Sequence, residues 1–467
     1  MPATLRLLTP DCQRKSSPRK KTPGQEHGRG TMTKRVTHVV HPFSRGAFVG
    51  WLFAGGAAKE APVSVNKRVL ISVLAALSML GALSIDAYLP ALLTIARLFS
   101  ATPAAAQQTL TAYLFAFAFM TLFYGTLSDS FGRRPVLLVA LFLYAVSSVG
   151  AGLSTSLGML ILFRFCQGLT AGAGSVIGRA MVGDLFKGAE AQRIMSYISV
   201  VFGLAPAVAP VLGGWLLAAF GWRAIFGFIA GFTVLLLAIC LRALHESLPP
   251  EKRHPFRFRP VLLNYLHVGA CAPFLLQAFS VAFGFFGILA YVASAPAFVI
   301  NILHLRETDF GWLFIPLISG MTAGAWLSAR CSHRFRPSTL IAAGFGIMFV
   351  ASVANVIYNA LTPAAIPWAI VAPMIYGFGQ NLAAPAMTVR ALEIFPHHRG
   401  LASSLQSFVF MALFALESGL VCPLLFDSAL KLAVSVVGGV LFSALCWWIG
   451  ISMKPTHTEA GFIEGDA

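Results

Sequence analysis

The chain has 467 residues, 57% of them apolar and 11% charged, with a formal net charge of +17. A soluble domain needs the opposite balance at its surface, so a water-dissolved globular fold is excluded and most of the chain must meet an apolar solvent. Whether the 34 Lys and Arg mark a nucleic-acid surface or a membrane topology depends on where they fall along the chain.

Residues 1–67 are basic, rich in Pro, Gly, Ser and Thr, and without sustained helical period, which reads as a disordered tail. Its apolar piece from Gly46 to Ala58 is too short to cross a bilayer. From about Val69 to Ile451 apolar runs of roughly 20 residues recur, the length that spans a hydrocarbon core of about 30 Å. Six fall near 70–92, 107–127, 135–154, 157–181, 195–218 and 223–243. Residues 244–264 carry Pro249, Pro250, Pro255 and Pro260 among several charges and read as a linker. Six more runs follow near 268–296, 309–329, 338–358, 365–388, 400–424 and 430–452. In lipid each backbone polar group must be satisfied within its own helix. The expected architecture is therefore an all-α polytopic membrane protein, with twelve transmembrane helices in two six-helix bundles at 68–243 and 265–452, and a C-terminal tail at 453–467. Leu127, Ser128 and Arg134 recur as Leu327, Ser328 and Arg334, a weak internal repeat of the kind duplicated transporter halves display.

If the first helix starts on the cytoplasmic side, 13 Lys and Arg precede Val69 and 15 lie in loops and tail on that same side, Arg133, Arg134, Lys187 and Arg334 among them. The opposite side holds four, Arg97, Arg223, Arg306 and Lys431. The asymmetry places both termini inside and accounts for the charge without nucleic acid. Seven cysteines are scattered with no Cys-x-x-Cys, and the histidines keep to tails, loops and span ends, so neither a disulfide nor a metal site is expected. No Gly-x-x-x-x-Gly-Lys-Ser/Thr loop, His-Glu-x-x-His or Gly-x-Ser-x-Gly occurs, which argues against ATP hydrolysis and hydrolase chemistry and leaves an ion gradient as the energy source, with no cofactor.

Ionisable groups near a bilayer centre cost at least about 2.5 kcal/mol each, so those present are functional candidates. Three stand out, Asp86, Arg164 and Glu417, each about 10 Å inside the outer end of its span. An Asp facing an Arg in low dielectric ionises, whereas one deprived of that partner takes up a proton. The sequence thus suggests a switchable proton site, with Asp86 binding the driving proton and Arg164 biasing it; a static buried pair is the alternative. Glu417 has no obvious partner in the sequence.

Between the second and third spans stands Gly125-Thr-Leu-Ser-Asp129-Ser-Phe-Gly132-Arg133-Arg134-Pro135, which resembles the cytoplasmic loop signature of the major facilitator superfamily. The resemblance implies that Asp129 meets the N-terminus of the eleventh span, near Ala402, and closes the cytoplasmic face. Arg164-Phe-Cys-Gln167-Gly168 resembles the family's buried-Arg motif, associated there with proton coupling. Gly203-Leu-Ala-Pro206-Ala-Val-Ala-Pro210-Val-Leu-Gly213-Gly214 resembles the motif of its antiporting exporters. Asp86-Ala-Tyr88-Leu89-Pro90, Gly178-Arg179-Ala180 with Asp184-Leu-Phe, and Gly379-Gln380-Asn381 together resemble the bicyclomycin and chloramphenicol resistance subgroup of drug:proton antiporters. Arg179 and Asp184 would then join the cytoplasmic gate. Ser130 stands where a basic residue is common, and Thr121 where the subgroup usually has Gln.

The resemblance implies a monomeric exporter in the bacterial inner membrane, exchanging protons for small amphipathic drugs such as bicyclomycin, phenicols or sulfonamides. A proton-coupled exporter of an amino acid or other metabolite is the alternative, and a non-transporting membrane sensor the reading from another class. Substrate contacts would come from aromatics and amides on a central cavity, and Tyr88, Tyr113, Tyr291, Gln380, Asn381 and Gln406 are the candidates.

Overall fold

The computed structural model describes residues 67–253 and 255–453, which are almost wholly helical with no strand among them. The basic tail before Lys67 and residues 454–467 lie outside the described residues, and with them the expectation of a disordered tail.

Helix α1 (Lys67–Asp86) passes through a 3-10 turn at Leu89–Ala91, where Pro90 has no N–H to offer, and continues as Leu92–Leu98. Helix α2 (Pro103–Thr121) starts on Thr102, whose hydroxyl accepts from the Ala105 N–H at 3.1 Å, and bends by 51° into Tyr124–Phe131. Then come α3 (Arg133–Gly152), α4 (Leu157–Ala171 and Ala173–Leu185), α5 (Gly188–Phe220) and α6 (Trp222–Ala243). The second half comprises α7 (Ala272–Ala293), α8 (Gly311–Cys331), α9 (Pro337–Leu361), α10 (Trp368–Leu392), α11 (Arg399–Leu416) and α12 (Ala429–Ser452). Helix α11 runs on into a π-helical stretch, Glu417–Val421, just before Pro423.

Ten of these segments are long and apolar enough to cross a membrane, or eleven if bent α2 counts as one span. Helix α10 has the length, 25 residues, but Gln380 and Asn381 in its middle lower its apolarity. It still packs between α8 and α9. Two limits differ from the sequence expectation. Helix α5 begins at Gly188 rather than near 195, because its first turns carry Glu190, Gln192 and Arg193 and so lie outside any apolar run. Helix α7 begins at Ala272 rather than near 268, with Pro273 in its first turn. The linker is also more than a tether: its end enters a helix, Phe258–Gly269, that runs past residue 264, whose Phe258 ring stacks on Phe123 and whose Tyr265 hydroxyl donates to the Leu122 carbonyl.

Polarity is distributed for a lipid solvent. Val200, Leu204, Trp215, Phe220, Trp326 and Val350 face outward, while Arg164, Gln167, Gln380 and Glu417 are buried. Within the first half α4 lies close on α2, because Gly168 lets its backbone approach the Tyr113 carbonyl, a position any side chain would block. Between the halves, α2 packs on α11 and α5 on α8.

Candidate functional site

A cavity of about 400 Å³ lies between the two halves. From α1, α2, α4 and α5 come Ser78, Phe117, Thr121, Arg179 and Phe202; from α7, α10 and α11 come Phe285, Thr388, Gln406, Phe410 and Met411. The wall is mostly apolar, dotted with hydroxyls, and among the described residues Arg179 is the one charged residue lining it. Phe285 and Phe410 meet edge to face at 5.3 Å, giving the second half a rigid aromatic wall.

The cavity extends toward the end of α4 and the start of α11, where Arg179 and Ser403 lie, the end that bears the excess of Lys and Arg. At the opposite end the halves are joined. Gln107 Nε2 donates to Ser418 Oγ at 2.9 Å and to the Ala293 carbonyl at 3.2 Å, Gln108 Nε2 donates to the Gly419 carbonyl, and Thr94 Oγ1 donates to Glu307. Of the antiporter-like motif, Gly214 belongs to this seal, while Gly213 packs within the first half. A Cβ on Gly213 would strike the Ala87 carbonyl oxygen, and one on Gly214 the Glu307 carbonyl oxygen of the facing half. Pro206 and Pro210 lie inside α5 about two turns and one turn earlier, and Gly203 has open space beside it.

Arg164 is fully buried in the first half. Its Nη1 donates to Gln167 Oε1 at 2.7 Å and to Ser84 Oγ at 3.2 Å, and its guanidinium lies over the rings of Tyr113 and Tyr88 at 4.2 and 4.6 Å from their centroids. Gln167 is itself held by donation to Ser148 Oγ. The expected face-to-face pair of Asp86 and Arg164 is absent. Successive residues on a helix turn about 100°, so Asp86 points about 200° away from both Ser84 and Tyr88, the α1 residues that Arg164 touches. Ser84 escaped the sequence reading, although its spacing of four from Tyr88 puts the two on one face.

Asp86 is buried, 5% exposed, and its side chain has no ion pair or hydrogen bond with a described residue. It sits one helical turn beyond Ala82, which lines the cavity. Glu417 is 1% exposed, at the start of the π-helical stretch of α11, and neither carboxylate oxygen has a partner among the described residues. The structure thus keeps Asp86, Arg164 and Glu417 apart as three separate buried groups.

The loop motif closes on its own half. Asp129 pairs with Arg133 at 2.5 Å rather than with the start of α11, and Arg133 also donates to Asp184 at 3.1 Å and to Ser128 Oγ at 2.6 Å. Glu246 of the linker accepts from the backbone N–H of Arg133 and of Arg134, Arg134 Nη2 donates to the Leu241 carbonyl, and Gly132 takes φ +97 to make the turn. The physical reason is the open cavity, which separates Asp129 from α11 on this side. Gly125 has open space where a side chain would stand, its carbonyl accepting from Ser128 Oγ, and Arg179 belongs to the cavity wall rather than to this cluster.

Of the six proposed substrate contacts, only Gln406 lines the cavity. Tyr88 and Tyr113 are spent on Arg164, their hydroxyls bonding Thr109 Oγ1 and the Gly81 carbonyl. Tyr291 accepts from Asn355 inside the second half, Asn381 donates to the Gly377 carbonyl one turn back, and Gln380 lies packed against Gly284. Missed by the sequence reading were Phe117, Phe202, Phe285 and Phe410, which have no polar atom to single them out. Thr121, noted only as a departure from the subgroup pattern, lines the wall.

A family model described as the Major Facilitator Superfamily matches residues 74–417. A bicyclomycin resistance protein homolog of Haemophilus influenzae is 30% identical over 380 residues, covering 81% of this chain and 95% of that protein. Multidrug resistance protein D of Escherichia coli is 28% identical over 408 residues, covering 83% and 97%. Among solved structures, a bacterial homolog of the human lysosomal transporter Spinster, inward-facing and occupied, superposes with a TM-score of 0.64 at 17% identity, covering 85% of this chain and 98% of that one. A D-xylose-proton symporter does so with 0.65 at 16%, covering 81% and 97%. With the family model spanning most of the described helices and a relative at this identity over nearly its whole length, the chain belongs to the major facilitator superfamily.

Proposed function

We propose that this chain is a proton-coupled secondary exporter of small amphipathic drugs, working by alternating access between its two halves, residues 68–243 and 265–452. The observation that carries this reading is the cavity of about 400 Å³ shared by both halves, open on the basic side and sealed on the other by Gln107, Gln108 and Glu307. Aromatic walls with scattered hydroxyls suit neutral molecules of mixed polarity, such as bicyclomycin or phenicols. The names of the relatives point the same way.

Asp86 is the proposed proton carrier. It is a buried carboxyl one turn from the cavity, without a counter-ion, and an isolated carboxylate there would be costly to keep ionised. Arg164 acts on it through the placement of α1 rather than by direct pairing. Glu417 is a second buried carboxyl, in the other half. The Lys and Arg asymmetry supports a bacterial inner-membrane protein with both termini cytoplasmic, and the cavity is complete within one chain, which a monomer satisfies.

Everted vesicles containing the protein test the proposal: under an inward-acid gradient they should accumulate chloramphenicol or bicyclomycin and release protons on drug addition. Gradient-driven uptake of a toxic amino acid alone would instead establish the metabolite exporter, and no flux of any solute would overturn transport.

A further inference from the structure

The hydroxyls of the central cavity are spent as donors on their own helices. Ser78 Oγ donates to the Ala75 carbonyl at 2.7 Å, Thr121 Oγ1 to the Phe117 carbonyl at 2.8 Å, and Ser199 Oγ to the Met195 carbonyl at 2.9 Å. Ser175 and Ser407 do the same to the carbonyls of Gly172 and Ser403. All of these hydroxyl residues line the cavity. A hydroxyl has one hydrogen, so each can accept from a molecule in the cavity but has nothing left to donate to it.

Arg179 is the exception. It is exposed to the cavity, and its Nε donates to the Ser175 carbonyl at 2.9 Å, one turn back on α4, which fixes the plane of the guanidinium. Its Nη1 and Nη2 have no hydrogen-bond partner among the described residues, and no carboxylate among them lines the wall. The two Nη groups form a fork that matches the two oxygens of a carboxylate. The rest of the surface is apolar and aromatic, and the cavity opens on the side with the excess of Lys and Arg, which draws anions from the adjoining solution.

We infer that the substrates this cavity binds best are amphipathic monoanions, an apolar ring system bearing one carboxylate or a group of like geometry, and that Arg179 selects them. The inference rests on the exporter reading for what the cavity does and on the donor pattern for what it prefers. A neutral carboxamide of the same shape has one oxygen to accept, and its NH2 would face an N–H of the fork. A dianion would bring a second charge to a wall with no second cation.

Equilibrium dialysis of the purified full-length protein in detergent tests this near neutral pH, with nalidixic acid and ibuprofen each measured beside its own carboxamide. Each acid should be retained about tenfold more tightly than its amide. Arg179→Gln should bring acid and amide to equal retention in the same detergent, and Arg179→Lys, which keeps the charge but not the fork, should fall in between. Equal or undetectable retention of both acids by the wild-type protein overturns the inference without need of any variant, and so does a preference for the acids that survives Arg179→Gln. Chloramphenicol accumulation in everted vesicles is the separate readout of export. Flux without a preference for the acids removes only the anion site, whereas that preference without flux of any solute removes only the exporter.

Discussion

The guanidinium carbon of Arg164 lies 4.2 Å from the centroid of the Tyr113 ring and 4.6 Å from that of Tyr88, so rings from α2 and the end of α1 both hold a cation carried by α4. Its Nε and Nη2 have no hydrogen-bond partner among the described residues, and the rings stand in for one. A desolvated contact of this kind is worth about 2 kcal/mol.

Only a flat cation can lie over two rings while also donating to Gln167. Lysine is a point charge on a flexible stem and cannot do both. Arg164→Lys is therefore expected to lower drug-driven proton release from proteoliposomes by at least about tenfold, as is Tyr113→Leu. Tyr113→Phe keeps the ring, loses only the bond to the Gly81 carbonyl, and should retain most activity. Wild-type rates in Arg164→Lys would show that the ring contacts are dispensable.

The spans were legible in the sequence because lipid tolerates no unsatisfied backbone, so most crossings leave a long apolar helical run, even where α1, α2 and α4 are broken within it. Helix α5 was cut short in the sequence reading for the same reason, since its polar first turns leave no mark in an apolar run. That Arg164 is buried could be read from its charge, but its neighbours could not: they depend on which way α1 is rotated, and two residues along the helix exchange one face for nearly the opposite one. Tyr88 and Tyr113 were marked as substrate contacts because aromatics line drug cavities, yet the aromatics of the cavity are phenylalanines, whose role depends on the pairing of the two halves. The loop motif was legible as a motif, while its partner depends on which face of the transporter is open.

Asp86→Asn removes the proposed proton carrier while keeping the volume and one hydrogen-bonding oxygen. The variant should lose the response of drug uptake to a pH gradient, falling about tenfold or more toward the ungated background, while exchange of labelled for unlabelled drug at equal pH persists. Glu417→Gln in parallel separates the two carboxyls. If Asp86 alone carries the proton, Glu417→Gln keeps its response to pH; if both variants lose it, coupling is shared between the halves.

The seal on the side away from the basic loops, the outer side in the proposed orientation, rests on backbone contact at Gly214. Because a methyl group there would strike the Glu307 carbonyl, Gly214→Ala must push α5 away from the loop before α8. The expected result is a shift toward the outward-open state. It is read as a several-fold faster reaction of Gln108→Cys with a membrane-impermeant maleimide added outside, in a background lacking the native cysteines, since Gln108 lies at the joint with Gly419. Gly203→Ala, where nothing is near, is the control that should leave labelling unchanged. Equal labelling of both would place the seal elsewhere.

Arg179 makes the cavity selective by sign. No carboxylate lines the wall beside it, so a cationic substrate meets one positive charge and no compensating negative one. At about 6 Å and an effective dielectric of about 20 the repulsion is about 3 kcal/mol, a factor of roughly 100 in binding, while a neutral phenicol is unaffected. Lipophilic cations such as ethidium should therefore be poor substrates of the wild-type protein. Arg179→Ser should admit them with little change in chloramphenicol export, provided its donation to the Ser175 carbonyl is not what holds α4 in shape. Thermal melting of the variant checks that condition, and a growth assay on both compounds reads the selectivity. Strong ethidium export by the wild-type chain would mean that the charge on Arg179 is compensated during transport, and Glu417, the nearest unpaired carboxyl along α11 from Gln406, would be the first residue to mutate in search of the compensating group.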